Sequence, residues 1–217
     1  MFDTAAEREG LIDTRVNFWP SLVDGMTSVL IIMFLLYIMK GMAGGELEAI
    51  RARRAMEALE RMIEGRFQRA GLGDVVRCQY STNILRVTFS EGVLFDPRQY
   101  RLQQRGRRVL AICADVLKSP EAPPYEQIQV EGHTDSVPFA DALYPHDNWE
   151  LSSARALEVL KHLLALGVRP QVISANGYAD QVKMDKGRGP EADRKNRRIE
   201  LRVIYSIPGL AAKGRKS

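Results

Sequence analysis

A chain of 217 residues, 45% hydrophobic and 27% charged, has room for one well-packed domain and one further element, and its slightly polar average excludes a multi-span transporter. The formal net charge of +4 is small, and the basic residues are interspersed with acids rather than gathered into a stripe, which argues against a nucleic-acid partner. The two cysteines, Cys78 and Cys113, make neither a disulfide framework nor a metal site.

Residues 1–17 lead into the most apolar run of the chain, FWPSLVDGMTSVLIIMFLLYIM. Residues 18–42 are predicted to form a single transmembrane helix. From Pro20 to Met42 the chain would extend roughly 34 Å as a helix, enough to cross a bilayer core. Pro20 suits the first turn, and Phe18, Trp19 and Tyr37 suit the two interfaces. The lack of a basic leader and of a small-residue cleavage site argues against a removed signal peptide.

Asp24 lies within this run, about 6 Å along the helix from Pro20. An ionised carboxylate in hydrocarbon costs about 2.5–3.5 kcal/mol on insertion scales. Two readings follow. The acid sits at the interface near a helix N-terminus, whose dipole favours it. Or it carries an ion, alternating between neutral and charged forms against a partner, because desolvation raises a carboxyl pKa.

Gly41, Gly44 and Gly45 are expected to interrupt the helix, and residues 43–71 follow as a helical spacer. Its apolar residues Ala52, Met56, Leu59, Ile63 and Ala70 recur at helical steps, with Arg66 breaking the stripe. A stripe this narrow suits a coiled-coil seam between two copies, or an amphipathic helix packed on its own domain.

Residues 72–206 alternate between strand and helix patterns, and residues 207–217 read as a flexible tail. Strands are predicted at Ile84–Phe89, Ile128–Glu131, Val172–Tyr178 and Arg198–Tyr205. Helices are predicted from Pro97 to Lys118 and from Trp149 to Leu166, the latter closed by Gly167. The fold class is α+β: a two-layer sandwich behind one transmembrane helix and a helical spacer.

Five short motifs follow in order. They are Gly132-His133-Thr134-Asp135, Asn148-Trp149-Glu150-Leu151-Ser152, Arg155-Ala156, Gly177-Tyr178 and Asn196-Arg197-Arg198. Together they resemble the OmpA-like peptidoglycan-binding domain, a βαβαβ fold, in its MotB-type version. Asp24-Gly25-Met26-Thr27, with its aromatic entry, likewise resembles the span of MotB-type stator subunits. The resemblance implies that Asp24 binds a proton, or sodium, in a channel formed with a ring of MotA-like A subunits around a homodimer. It implies no other cofactor. It also implies that Asp135 accepts from the ammonium of a cell-wall stem peptide. Arg155 would grip the carboxylate with a two-pronged geometry that lysine lacks. Asn148, Leu151 and Arg198 are then expected to shape the pocket.

The same resemblance places the domain outside the bacterial inner membrane and residues 1–17 in the cytoplasm. The charge count opposes this, with Arg8 and Arg15 before the span but Lys40, Arg51, Arg53 and Arg54 after it. The five ordered motifs outweigh that count. The driven machine is left open between a flagellar motor, another surface machine and the ZorB component of an anti-phage system. A passive wall tether is the alternative of another class. Catalysis is not expected: His133, His146 and His162 have no ligand-pair spacing and no nucleophile motif beside them.

Overall fold

The computed structural model describes residues 18–81, 83–139 and 147–205; the predicted tails at 1–17 and 207–217 lie outside these. The chain divides into two units, Met1–Gly45 and Glu46–Ser217. The first helix, α1 (Trp19–Arg69), contributes to both. Its backbone stays helical through Gly41, Gly44 and Gly45, so the glycines do not end the helix as expected.

In the first unit, Trp19–Lys40 has a mean hydropathy of 2.2 and is long and apolar enough to cross a membrane. Its side chains are exposed throughout, Asp24 among them. The Thr27 hydroxyl donates to the Asp24 carbonyl at 2.9 Å, which satisfies that polar side chain on its own helix.

The second unit is built on a five-stranded sheet in the order β1-β2-β5-β3-β4. Its strands are β1 (Arg77–Ser81), β2 (Ile84–Ser90), β3 (Gln127–His133), β4 (Ile173–Gly177) and β5 (Arg198–Ile204). β1, β2, β5 and β3 pair antiparallel in that order. β3 and β4 pair parallel, and α4 (Asn148–Ala165) makes the crossover that a parallel pair requires. α2 (Glu91–Leu94) follows β2 directly, α3 (Gln104–Lys118) precedes β3, and α5 (Pro190–Asn196) precedes β5.

The period-2 alternation separates two chemistries. Leu85, Val87 and Phe89 register with Val203, Leu201 and Ile199, and these with Ile128 and Val130, to form one buried apolar face. α3 and α4 cover it with Val109, Leu110, Ala156, Val159 and Leu163. The other face carries Arg86, Arg202, Glu131 and Glu200 on neighbouring strands.

The second part of α1 belongs to this core. Ala52, Met56, Leu59, Ile63 and Phe67 are 0–1% exposed. The stripe that suggested a coiled-coil seam is therefore covered by its own domain, and the unit begins at Glu46 rather than at residue 72. Phe67, absent from the predicted stripe, packs near Phe89 with ring centroids 6.2 Å apart, whereas Ala70 is exposed.

One further boundary differs. The helix expected from Pro97 starts at Gln104, because residues 95–103 form a loop closed by a bridge between Phe95 and Leu102. The Gln103 amide fastens that loop by donating to the Gly92 and Val93 carbonyls. β1, α2 and α5 went unread in the sequence. Cys78 and Cys113 are free thiols, and burial, with Glu64 and Glu60 adding to it, pushes the Cys78 thiol up to about 12.

Ile63→Ala removes a side chain from this core, so it is predicted to lower the stability of the domain by about 2–5 kcal/mol. Thermal unfolding of the full chain in detergent checks this; an unchanged midpoint would return residues 46–69 to the role of a free spacer.

Candidate functional site

The site forms where α4 meets the ends of β3 and β4, and two glycines permit that meeting. Gly132 and Gly177 are register partners on the parallel strands. A Cβ on Gly132 would lie 2.1 Å from the Ser152 carbonyl oxygen, and one on Gly177 would lie 2.2 Å from the Ser153 hydroxyl. Only bare backbone lets the first turns of α4 lie this close to the sheet. The Ser152 hydroxyl donates to the Trp149 carbonyl and accepts from the Ala179 N–H, while the Thr134 N–H donates to the Ala179 carbonyl at 2.8 Å. These bonds tie α4 to the loops after β3 and β4.

Just past β3, Asp135 is 7% exposed; its Oδ1 accepts from the Val137 N–H at 3.0 Å in a local turn. Its Oδ2 accepts from Arg197 Nη1. Arg197 Nε lies 2.9 Å from Glu91 Oε2, and Glu91 Oε1 in turn accepts from Arg155 Nη2. Asp135, Arg197, Glu91 and Arg155 thus make a chain of alternating charge. Arg155 is 2% exposed on α4, donates through Nε to the Gln99 carbonyl at 2.9 Å, and stacks over the Phe95 ring. Burial pushes the Arg155 guanidinium below its usual value, and Glu91 acts against that shift.

Beside these charges lies a cavity of about 520 Å³. Its walls combine the four charged residues with apolar surface from Phe95, Val137, Phe139 and Leu151, and with Arg98 and Arg194. Opposed charges in a mostly apolar cleft suit a small zwitterionic or dipolar ligand.

The structure brings together Asp135, Arg155, Asn148 and Leu151 at this cavity. The Asn148 amide donates to the Val137 carbonyl at 3.0 Å and so fixes the loop that carries Asp135. Arg198 stands elsewhere. It is 4% exposed among the buried charges of the sheet, where its Nε donates to Glu200 at 2.6 Å and it also donates to the Asn196 and Val182 carbonyls. Its neighbour Arg197 takes the place in the cavity, since successive residues around a strand start face opposite ways. Glu91 was missed altogether, and only its position one residue beyond a clear strand would have flagged it. Asp24 belongs to the other unit.

Glu131, His133 and Glu200 are all buried, with ligand-type atoms within 4.8 Å of one another. Arg202 holds Glu131 at 2.8 Å, and Arg198 and Arg86 hold Glu200 at 2.6 and 2.8 Å. Three guanidiniums already face two carboxylates, so a cation would have to displace them. The His133 ring stacks on Tyr178, with centroids 5.4 Å apart.

Residues 94–197 match the model of the OmpA family. This segment is an OmpA-family domain. Motility protein B of Escherichia coli (strain K12) is 37% identical over 79 residues, covering 36% of this chain and 25% of that one. A solved MotB-like protein from Desulfovibrio vulgaris superposes with a TM-score of 0.64 at 25% identity, covering 71% of this chain and 99% of that one. The cell wall anchor of the T6SS from Pseudomonas aeruginosa superposes with a TM-score of 0.57 at 27% identity, covering 66% and 97%. The chain spans about half the length, or less, of the curated relatives it matches. The OmpA-like segment here is thus similar to MotB-type proteins among its relatives and structural neighbours.

Arg198→Ala is predicted to cost about 3 kcal/mol, because it removes one partner from a buried ion-pair network. It should leave ligand affinity unchanged. Thermal unfolding beside a binding isotherm separates the two, and lost affinity at full stability would restore Arg198 to the binding site.

Proposed function

We infer that the chain is the B-type subunit of an ion-driven, MotAB-like stator. The C-terminal unit grips a peptidoglycan stem peptide, and Asp24 carries the coupling ion, a proton or sodium, in a channel completed by A-type subunits. The observation that carries this reading is the pairing of two features in one chain. A cavity with opposed buried charges, in a domain like a cell wall anchor and a MotB-like protein, follows a lipid-length helix that contains one acid. A wall-bound domain sits outside the cytoplasmic membrane, so the N-terminal residues face the cytoplasm.

The division of labour follows from physical chemistry. An acid in a low-dielectric span takes up a proton when desolvated and releases it once rehydrated, so ion flow becomes a sequence of charge states felt by a neighbouring subunit. Movement of that neighbour pushes back on the span. A stator must resist the reaction force, and a grip on a covalent wall network provides the resistance. No cation stands near Asp24 along its own helix, so the neutralising environment must come from A-type partners or from a second copy in a dimer.

Vesicles containing this chain with its A-type partner are predicted to take up protons or sodium. Asp24→Asn is predicted to reduce uptake at least tenfold, since it removes the titrating group while keeping the size of the side chain. Ion flux measured with fluorescent dyes for each ion decides the matter. Equal flux in wild type and mutant would remove Asp24 from the ion path, and no flux in either would leave a passive wall tether.

A further inference from the structure

The two deepest charges of the cavity are already paired with groups that look like its ligand. Glu91 places a carboxylate on Arg155, and Arg197 places a cation on Asp135. Glu91 and Arg197 also pair with each other at 2.9 Å, and the Glu91 backbone N–H donates to the Arg197 carbonyl at 3.0 Å. A carboxylate and a cation held a few ångströms apart are the two recognition groups of a zwitterionic amino-acid end. We propose that the Glu91–Arg197 pair is an internal imitation of that ligand, which closes the site until a real zwitterion displaces it. The inference rests on the wall-binding reading of this cavity and adds a competitor that the reading lacks.

Exposure supports the direction of this arrangement. The Arg155 and Asp135 side chains are 3% and 9% exposed, whereas Glu91 and Arg197 are 13% and 36% exposed. The deeper pair is the receptor and the shallower pair is the cover. The receptor groups are also committed on their other sides. Arg155 Nε holds the Gln99 carbonyl, and Asp135 Oδ1 holds the Val137 N–H. Glu91 takes Arg155 Nη2, and Arg197 takes Asp135 Oδ2.

A second feature points to a polar ligand. Thr134 lines the cavity, is 4% exposed, and its hydroxyl has no hydrogen-bond partner among the described residues. A buried hydroxyl left unpaired is costly, and a ligand's polar groups would satisfy it. The cover pair satisfies the charges but leaves this hydroxyl unpaired. Both cover residues stand at element ends, Glu91 opening α2 and Arg197 between α5 and β5.

Competition makes a prediction opposite in sign to a positioning role. If Glu91 and Arg197 are covers, neutralising either one frees a receptor group and tightens binding. If they orient the receptor groups, the same changes weaken it. Titrations use the full chain in detergent, with free diaminopimelate and with sodium acetate as probes. Glu91→Gln is predicted to bind both probes roughly tenfold more tightly than wild type. Arg197→Gln is predicted to tighten diaminopimelate, whose ammonium gains Asp135, but not acetate.

Circular dichroism establishes that each variant is folded, and the second variant keeps the test open should the first fail to fold. Equal or weaker binding by the folded variants overturns the proposal. Tighter acetate binding by Glu91→Gln, with no diaminopimelate binding by any protein, would uphold the competing carboxylate and overturn the wall-ligand reading instead.

Discussion

Taking an ion out of water into a protein interior costs several kcal/mol unless an opposite charge and further hydrogen bonds replace its hydration. The site obeys this constraint by linking Asp135, Arg197, Glu91 and Arg155 in a row whose charges sum to zero. No member of the row is positioned by its own element alone. Asp135 follows β3, Arg155 rides on α4, Glu91 opens α2, and Arg197 lies just before β5. The four elements converge because β2, β5 and β3 are neighbours in the sheet, and the ends of β2 and β3 form one edge with the start of β5. The glycine pair at positions 132 and 177 lets α4 come down onto that edge.

A second charged system lies one residue away and has a different purpose. Arg198, Arg202 and Arg86 neutralise Glu131 and Glu200 across the polar face of the sheet. Because strand residues alternate between faces, Arg197 and Arg198 are adjacent in sequence yet serve separate networks. The sheet's ion pairs therefore share no member with the row at the cavity. It also makes the polar face specific about register, since a slip of one residue would place Glu200 opposite apolar side chains.

These features explain what the sequence could disclose. The strands with regular alternation, at residues 84–89 and 198–205, were legible because one face is buried and the other polar. Asp135, Asn148, Leu151 and Arg155 were legible because they sit in short motifs with fixed spacing. Glu91 was not, because its role depends on a pairing between β2 and β5 across more than a hundred residues. The helical stripe from Ala52 to Ile63 announced a buried face but not its cover, since periodicity gives no information about the partner surface. The choice between Arg197 and Arg198 required the exact phase of β5, which a run of two arginines conceals.

Each unit would have little purpose without the other in an ion-driven machine. An acid in a lone span moves charge but resists no force, and a wall grip resists force but gains no energy from ions. The most direct test of the account is therefore the grip itself, measured by sedimenting the full chain in detergent with purified peptidoglycan sacculi. The account predicts that wild-type protein pellets with the sacculi and that Asp135→Asn, still folded by circular dichroism, stays in the supernatant. Equal pelleting of the two, or failure of the wild type to pellet at all, would contradict it.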